Sequence, residues 1–517
     1  MLILLLLSFF VLISCHNSVT LAGYDKQNSR DFPSFITASN IDNLHVKWIG
    51  TTCANKSATA TPLVKGDRVC VPDNGQCYSC WNRQTGALIL RKNTTADYGL
   101  PPAHYSRTTP TYVKVGGRKL VILASNANAS IINPTSGTWI FAVDFNTGEL
   151  VWKSTVSTNN WTLVTQSPVV EDGYIYVGIS SSETSAPYIA PNAPCCKNVG
   201  TFYKYRASNG ALLWSTPMIP QDLQGYDKFS GASIWGSTPV IAGNRIYIGT
   251  GQLNKVPISV QACILANPLN ASCINRSVLY DSVVGLNKHT GKIEVSFRAS
   301  PADVWNIACV FGGSIPGCQC LGVCDYDYDI TGLTYSKKNN ILFATSKSGF
   351  VFALDSDLNV LWLDQFVNGS ASGGIVWQNA LRDHVQVRKL GLFVQQANDR
   401  RYNFTLPNGT IYKSGVFIRY NGLGDVVWAA PTPDGDKAYG PVALTNNVLF
   451  GSTRAKGLLV AMHANTGQVL WTYQTNGSMS SGCAIVGNDV FWPLGPGTVL
   501  SPGIVDQDKI VAFTIDH

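Results

Sequence analysis

The sequence predicts an all-β protein, an eight-bladed β-propeller, and three observations carry that expectation. A strand–turn–strand unit recurs along the chain, and most of its copies end in tryptophan. Charged residues make up only 13% of the 517 against 47 glycines and 10% aromatics, which suits short buried strands better than disorder or coiled coil. Finally, the two ends of the chain each carry part of one further unit.

The chain opens on "MLILLLLSFFVLISCHNSVTLAG", an apolar run of signal-peptide length and too short for a comfortable membrane span. Cleavage near Ala22 is expected, leaving 1–22 as a leader and 23–517 as one domain. A positively charged flank is missing, and residues 12–15 also read as a bacterial lipoprotein site. Ten Asn-x-Ser/Thr sequons, at Asn55, Asn93, Asn128, Asn160, Asn270, Asn275, Asn368, Asn403, Asn408 and Asn476, point instead to a eukaryotic secretory route and an extracellular glycoprotein. No later apolar run is long enough to span a bilayer.

Fourteen cysteines suit an oxidising compartment. Cys77-x-x-Cys80 is followed by Trp81, so it lacks the histidine of a haem attachment site, and Cys318, Cys320 and Cys324 read as disulfide partners before zinc ligands.

The recurring unit comes next. "CWNRQTGALIL" (80–90) is followed by "AVDFNTGELVW" (142–152), "KYRASNGALLW" (204–214), "GLNKHTGKIEV" (285–295), "ALDSDLNVLW" (353–362), "RYNGLGDVVW" (419–428) and "AMHANTGQVLW" (461–471). Each is an apolar alternation, a tight Asn/Asp/Thr/Gly turn and a second alternation. A further strand pair precedes most copies, as in "SPVVEDGYIYVGIS" and "STPVIAGNRIYIGTG", so one unit is a four-stranded sheet. Such a sheet cannot bury both faces alone, but sheets stacked radially can. Seven units end at Leu90, Trp152, Trp214, Val295, Trp362, Trp428 and Trp471. The C-terminal "KIVAFTIDH" lacks its last strand, and "NLHVKWIGTT" (43–52) supplies one with Trp48 in place, giving an eighth blade that removes the open edge.

The net charge of +7 is spread thinly with no Lys/Arg run, which argues against nucleic-acid binding. With no G-x-S-x-G elbow and seven histidines, a hydrolase has little support. The chemistry-bearing stretch is "CDYDYDITG": in extended backbone Asp325, Asp327 and Asp329 share one face and repel. Water on a polar turn, a metal ion, or a carboxylate needed as a base would each account for them. An EF-hand would not, since Ile330 and Ser336 stand where its glycine and glutamate belong.

The pattern Ala142-x-Asp144-x-x-Thr147-Gly148-x-x-x-Trp152 resembles the tryptophan-docking repeat of quinoprotein dehydrogenases. "SSSETSAPYIAPNAPCCKNVGTFYKYRASNG", "GASIWGSTPV", "CDYDYDITGLTY" and "SKSGFVFALD" are closest to the polyvinyl-alcohol-dehydrogenase-like members. The resemblance implies an eight-bladed propeller holding pyrroloquinoline quinone (PQQ) and calcium. It also implies oxidation of a small or polymeric alcohol, with electrons passed to an external acceptor because no haem motif is present.

By the same resemblance Glu183 ligates calcium, Trp235 stacks on the quinone and Trp377 also lies at the cofactor. Cys195 and Cys196 match the vicinal disulfide that covers the quinone's other face, although that pair precedes the calcium glutamate in the methanol-oxidising enzymes and follows it here, and pairing with distant cysteines stays open. Asp327 is implied as general base and metal ligand, with Asp329 a further ligand or a support for one; a one-step shift swaps the two, and Asp325 is left at the surface. Lys347 matches a cation that donates to the quinone oxygens. Where many relatives carry an asparagine ligand after "GTG", this chain has Gln252, with Asn254 two places on. The reading from another class is a cofactor-free propeller used as a binding or scaffold module. The Gln252 exchange favours it, whereas a scaffold has no use for Glu183, Trp235, Asp327 and Lys347 together.

Overall fold

The structure is a computed structural model that describes residues 18–127, 137–189, 195–236, 238–309, 320–324, 327–370, 373–406, 408–496 and 505–516. Most of the expected leader, Asn128, Cys318 and Asp325 lie outside the described residues.

The protein is all-β in its repeating architecture. Among the described residues, antiparallel four-stranded meanders follow one another along the chain. The first is Leu63–Lys65, Arg68–Pro72, Cys77–Asn82 and Leu88–Asn93, and the second is Thr111–Val115, Arg118–Ala124, Thr138–Asp144 and Leu150–Ser157. Later sheets begin at Val169–Glu171, Val240–Ala242, Ile330–Ser336, Ala380–Arg382, Ala443–Thr445 and Ala484–Val486. In the last, Lys509–Thr514 pairs with His45–Thr51, so an N-terminal strand completes the C-terminal sheet. The recurring units are the third and fourth strands of their sheets, and their turns are the hairpins between them.

Each fourth strand docks on the following sheet. The indole Nε1 of Trp152 donates to the carbonyl oxygen of Ala207 (3.0 Å), Trp362 to Gly422 (2.9 Å), Trp428 to Ala464 (3.0 Å) and Trp471 to Leu44 (2.9 Å). Trp48 then donates to Arg83 (2.9 Å), which joins the last sheet to the first. A glycine is required where these rings land: at Gly467, φ +74°, a Cβ would sit 2.8 Å from the Trp428 ring.

The innermost strands face a narrow hub, a cavity of about 50 Å³ whose walls run from Thr61 before the first sheet through Thr109, Ser167, Thr238 and Thr331 to Ser480 before the last. The hub also holds a segment the repeats do not announce. Ser18–Val19 pairs with the first strand of the first sheet, inside the expected leader. Beyond it, Tyr112, Ile241, Tyr335, Leu381 and Leu444, each from the first strand of a different sheet, donate their backbone N–H to the carbonyls of Thr20, Lys26, Gln27, Ser29 and Arg30. These are free edges of innermost strands, and the segment pairs them. Arg30 is wholly buried at its centre, donating Nε to Val442 O (2.6 Å) with its guanidinium carbon 4.7 Å from the Tyr24 ring centroid.

Because every hairpin is antiparallel, connections alternate between two ends of the sheets. One end carries the tight turns between first and second and between third and fourth strands. The other carries the connections between second and third strands, short in the first, fifth and seventh sheets and long in the rest, and those from each fourth strand to the next sheet. An additional sheet, Ser230–Gly231, Leu253–Lys255, Asp303–Trp305 and Cys320–Gly322, is built from those longer connections.

Candidate active site

All the sequence-derived site residues fall at one end of the sheets, the end opposite the turns between third and fourth strands. Asp327 and Asp329 precede the fifth sheet, and Lys347 occupies the turn after its second strand, Ile341–Ser346. That turn brings the lysine Nζ to 2.8 Å from Asp327 Oδ2 and 2.9 Å from Asp329 Oδ2. Trp235, in the connection leading to the fourth sheet, donates its indole Nε1 to Asp329 Oδ2 (2.8 Å), and Lys347 Nζ lies 4.7 Å from its ring centroid. Gln252 meets the same carboxylate: its backbone N–H donates to Asp329 Oδ1 (2.7 Å), and its amide, with the nitrogen turned inward, lies 2.6 Å from that oxygen.

Asp327 is 0% and Asp329 2% exposed. Burial first, then the Asp329 charge, pushes the Asp327 carboxyl well above the usual range against the pull of Lys347. Burial would by itself lower Lys347, but the two carboxylates hold it above the ordinary lysine value and keep it charged.

The structure adds three residues that motif reading missed. Asp303 accepts the Tyr328 backbone N–H on Oδ2 (3.0 Å) and is pushed up to about 7, chiefly by burial, with the Asp329 charge adding to the shift. Asp281 accepts from Ser300 Oγ (2.6 Å) and is raised by burial and by the Asp303 and Asp329 charges. Trp305 lies 5.8 Å, centroid to Nζ, from Lys347. The available signal was an aspartate inside apolar stretches, "LYDSVVGL" and "PADVW", where a charge needs a reason.

Glu183 stands apart from this group. It opens the turn Glu183–Ser185, is 2% exposed, and accepts the backbone N–H of Lys197 (2.9 Å) and Asn198 (2.7 Å) on Oε2. Burial raises its pKa in spite of those two donors. Cys195 and Cys196 form a disulfide with each other, and both sulfurs lie 3.6 Å from the Glu183 carbonyl oxygen. Cys320 and Cys324 are likewise disulfide-bonded. The connection from Glu183 to the aspartates runs through backbone: Gly231 N donates to Asn198 O (2.8 Å), and Ala232 N to Gln252 O (2.8 Å). Asn254 is buried on the strand beside Gly231, and Trp377 is packed near Trp235 with Tyr439.

Four buried carboxylates thus face one cation, which is charge that water cannot reach and a single ammonium cannot balance. Asp281 Oδ1, Asp303 Oδ1, Asn254 Nδ2, Trp305 Nε1 and Trp377 Nε1 are buried without a hydrogen-bond partner. Unpaired oxygens of this kind fit a hard cation, and unpaired indole N–H groups beside flat rings fit a planar polar ligand. Among the described residues no three of Glu183, Asp281, Asp303, Asp327 and Asp329 bring carboxylate oxygens within 4.8 Å of one another, and Lys347 holds the position between Asp327 and Asp329.

The family model described as outer membrane protein assembly factor BamB matches residues 44–262 and 136–306, together just over half of the chain. The polyvinylalcohol dehydrogenases of Sphingopyxis sp. (strain 113P3) and Pseudomonas sp. are each 23% identical to it, over 85% of this chain. The aligned part is 64% of each relative, so the chain spans under two thirds of their length. A quinohemoprotein alcohol dehydrogenase from Comamonas testosteroni superposes with a TM-score of 0.67 at 16% identity, over 97% of this chain and 81% of that one. A europium-containing methanol dehydrogenase does so at 0.65 and 15%, over 96% and 98%. At those identities the structural likeness is one of fold.

Proposed function

We propose, from the premise that this chain belongs to the quinoprotein alcohol dehydrogenase-like family of PQQ-repeat proteins, that it is a secreted, calcium- and PQQ-dependent dehydrogenase of small or polymeric alcohols. The observation that carries the proposal is the Asp327–Lys347–Asp329–Trp235 group, four residues from three connections tied by contacts of 2.8–2.9 Å. The meanders are read as eight blades of one ring. In support, the tryptophan contacts return from Trp48 to the first sheet, and residues preceding successive sheets line one hub.

Glu183, Gln252, Asn254, Asp327 and Asp329, joined by Asp281 and Asp303 through their unpaired oxygens, would hold the metal; Trp235, Trp377, Lys347 and the Cys195-Cys196 pair would hold the quinone. Bound there, the quinone supplies a two-electron acceptor and the metal a Lewis acid. Asp327 receives the hydroxyl proton of the alcohol as its C–H bond breaks with both electrons and the C=O bond forms. Lys347 keeps Asp327 oriented through its ion pair and carries positive charge toward the position where negative charge grows. Trp235 and Trp305 present flat, partly apolar walls that exclude water from the carboxylates. Electrons leave to an external acceptor. Secretion is supported by the sequons and by five disulfides among the described residues. No helix among the described residues is long and apolar enough to cross a membrane.

Titration of the purified protein with PQQ and calcium, followed by dye reduction over an alcohol panel, tests this reading. Quinone uptake with alcohol-dependent turnover is expected. Asp327→Asn should keep the uptake and lose about 10²–10⁴-fold in rate. A folded protein that takes up no quinone overturns the proposal in favour of a binding or scaffold module, the reading the assembly-factor family description supports.

A further inference from the structure

The sequons are not spread over the fold; they share one end of it. Asn55 lies between the last strand of the final sheet and the first sheet, and Asn93 ends the first sheet's fourth strand. Asn160, Asn368 and Asn476 follow the fourth strands of the second, fifth and seventh sheets. Asn270 and Asn275 lie between the second and third strands of the fourth sheet, and Asn403 and Asn408 between those of the sixth. All nine described sequons therefore sit at one end of the sheets, Asn93 on the last residue of its strand and the others in connections, and that end also carries Glu183, Trp235, Asp327 and Lys347.

Chance does not explain the segregation well. Asparagine is common in the tight turns at the opposite end, Asn82, Asn146, Asn209, Asn287, Asn421 and Asn465 among them, because it tolerates turn geometry. None of those has Ser or Thr two residues on; the repeat itself places glycine there in Asn146-Thr147-Gly148 and Asn465-Thr466-Gly467. Longer connections offer more room for random matches, but random matches would also fall on buried asparagines. Of the nine, Asn55, Asn160, Asn275, Asn368, Asn403, Asn408 and Asn476 are exposed, and Asn93 and Asn270 are half-buried. In Asn93, Asn270, Asn275 and Asn408 the side-chain oxygen accepts the backbone N–H two residues on, at 2.9–3.0 Å, a bond that does not use the amide nitrogen, the atom a glycan joins.

We propose that these asparagines carry N-linked glycans, and that the glycans stand around the candidate active site while the turn-bearing end of the sheets is bare. The proposal rests on the secretory reading above and not on the quinone. A bulky, hydrated chain on each loop shields the long connections that hold the site and leaves the hub's far end free.

The test uses the full chain, secreted from a eukaryotic host with its own leader. Native digestion with peptide-N-glycosidase F in ¹⁸O water, followed by intact mass and peptide mapping, should give a mass loss and labelled aspartate at most of the nine positions. Trypsin should then cut several-fold faster after Lys56, Arg276 and Arg401, which are exposed beside Asn55, Asn275 and Asn403, with no change at Lys119, exposed on the strand that leaves the opposite turn Gly116-Gly117. Secreted protein whose mass does not change overturns the inference alone, as does faster cutting at both ends. Protein retained in the cytosol without entering the secretory route overturns the secretory reading beneath it.

Discussion

Asp303, Asp281, Asp327 and Asp329 are buried together with a single lysine, and that imbalance makes the site sensitive to protons and to cations in opposite directions. For Asp303 the sign is settled by its pKa of about 7 in the fold against 3.8 when free. The folded state binds the proton more tightly, so this contribution is present in full at low pH and is lost as pH rises through 7. Metal-free protein should therefore melt at a higher temperature at pH 5 than at pH 7.5. Calcium should raise the melting temperature more at pH 7.5, where it meets ionised carboxylates; equal calcium shifts at both values would deny the aspartates a role in holding the ion. Lys347→Gln removes the one group that pulls the Asp327 pKa down, so the acid limb of the rate profile should move to higher pH. A limb that stays in place, in a variant that still binds quinone, would mean that Asp327 is not the titrating base. Asp327 was legible in the sequence because three carboxylates in five residues demand compensation. Asp281 and Asp303 were not, because each stands alone in an apolar run and acquires its charge neighbours only on folding.

The docking unit is the element whose physics the sequence stated most openly: two alternations, a turn, and a large ring that needs a landing place. Its energetics separate the two reasons for a glycine. Gly467 has φ +74° and a Trp428 ring 2.8 Å from where a Cβ would sit, whereas Gly243, φ +60°, has nothing within 4 Å. Gly243→Ala should cost about 1 kcal/mol, the left-handed backbone alone. Gly467→Ala adds overpacking and should cost roughly 2–4 kcal/mol, while Trp428→Ala, emptying the same contact, should cost about 3–5 kcal/mol. Chemical denaturation of the three variants checks the order, and equal losses for the two glycines would remove the ring's landing as the cause. Leu90 and Val295 stand where tryptophan is expected, and their sheets form all the same, since burial of the fourth strand tolerates other apolar side chains. The sheet Ser230–Gly231, Leu253–Lys255, Asp303–Trp305 and Cys320–Gly322 could not be read ahead, because strands of two or three residues carry no periodicity.

At the scale of the whole molecule, the segment through the hub changes how the successive sheets are held. A radial stack of sheets leaves each innermost strand with one unpaired edge facing the axis. Water in so narrow a hub could satisfy those edges, but here the chain does it, with Thr20, Lys26, Gln27, Ser29 and Arg30 accepting from the first strands of five different sheets. Lys26 reaches a sixth through its ion pair with Glu171 (2.9 Å), Ser18–Val19 pairs with the first sheet, and the Tyr24 hydroxyl donates to Cys483 O (2.6 Å) in the last. Repeat reading gave no hint of this, since the segment is neither periodic nor apolar and part of it was assigned to a leader. A leader cut after Ala22 would remove the strand Ser18–Val19 and the Ala22 carbonyl that accepts from Arg30; a cut before Ser18 would keep both. When the chain is exported from a eukaryotic host, its mature N-terminus, read by terminal sequencing, should accordingly fall at or before Ser18. Deleting 18–36 exposes the hub edges of six sheets at once and removes the side-chain contacts to the other two, at about 1–3 kcal/mol for each backbone group that finds no partner. The truncated chain should melt well below the full one or fail to fold, and a synthetic peptide of residues 18–36 added in trans should restore its melting temperature. A truncated chain that melts with the parent and ignores the peptide would mean that the docking contacts between neighbouring sheets hold them together without help from the hub.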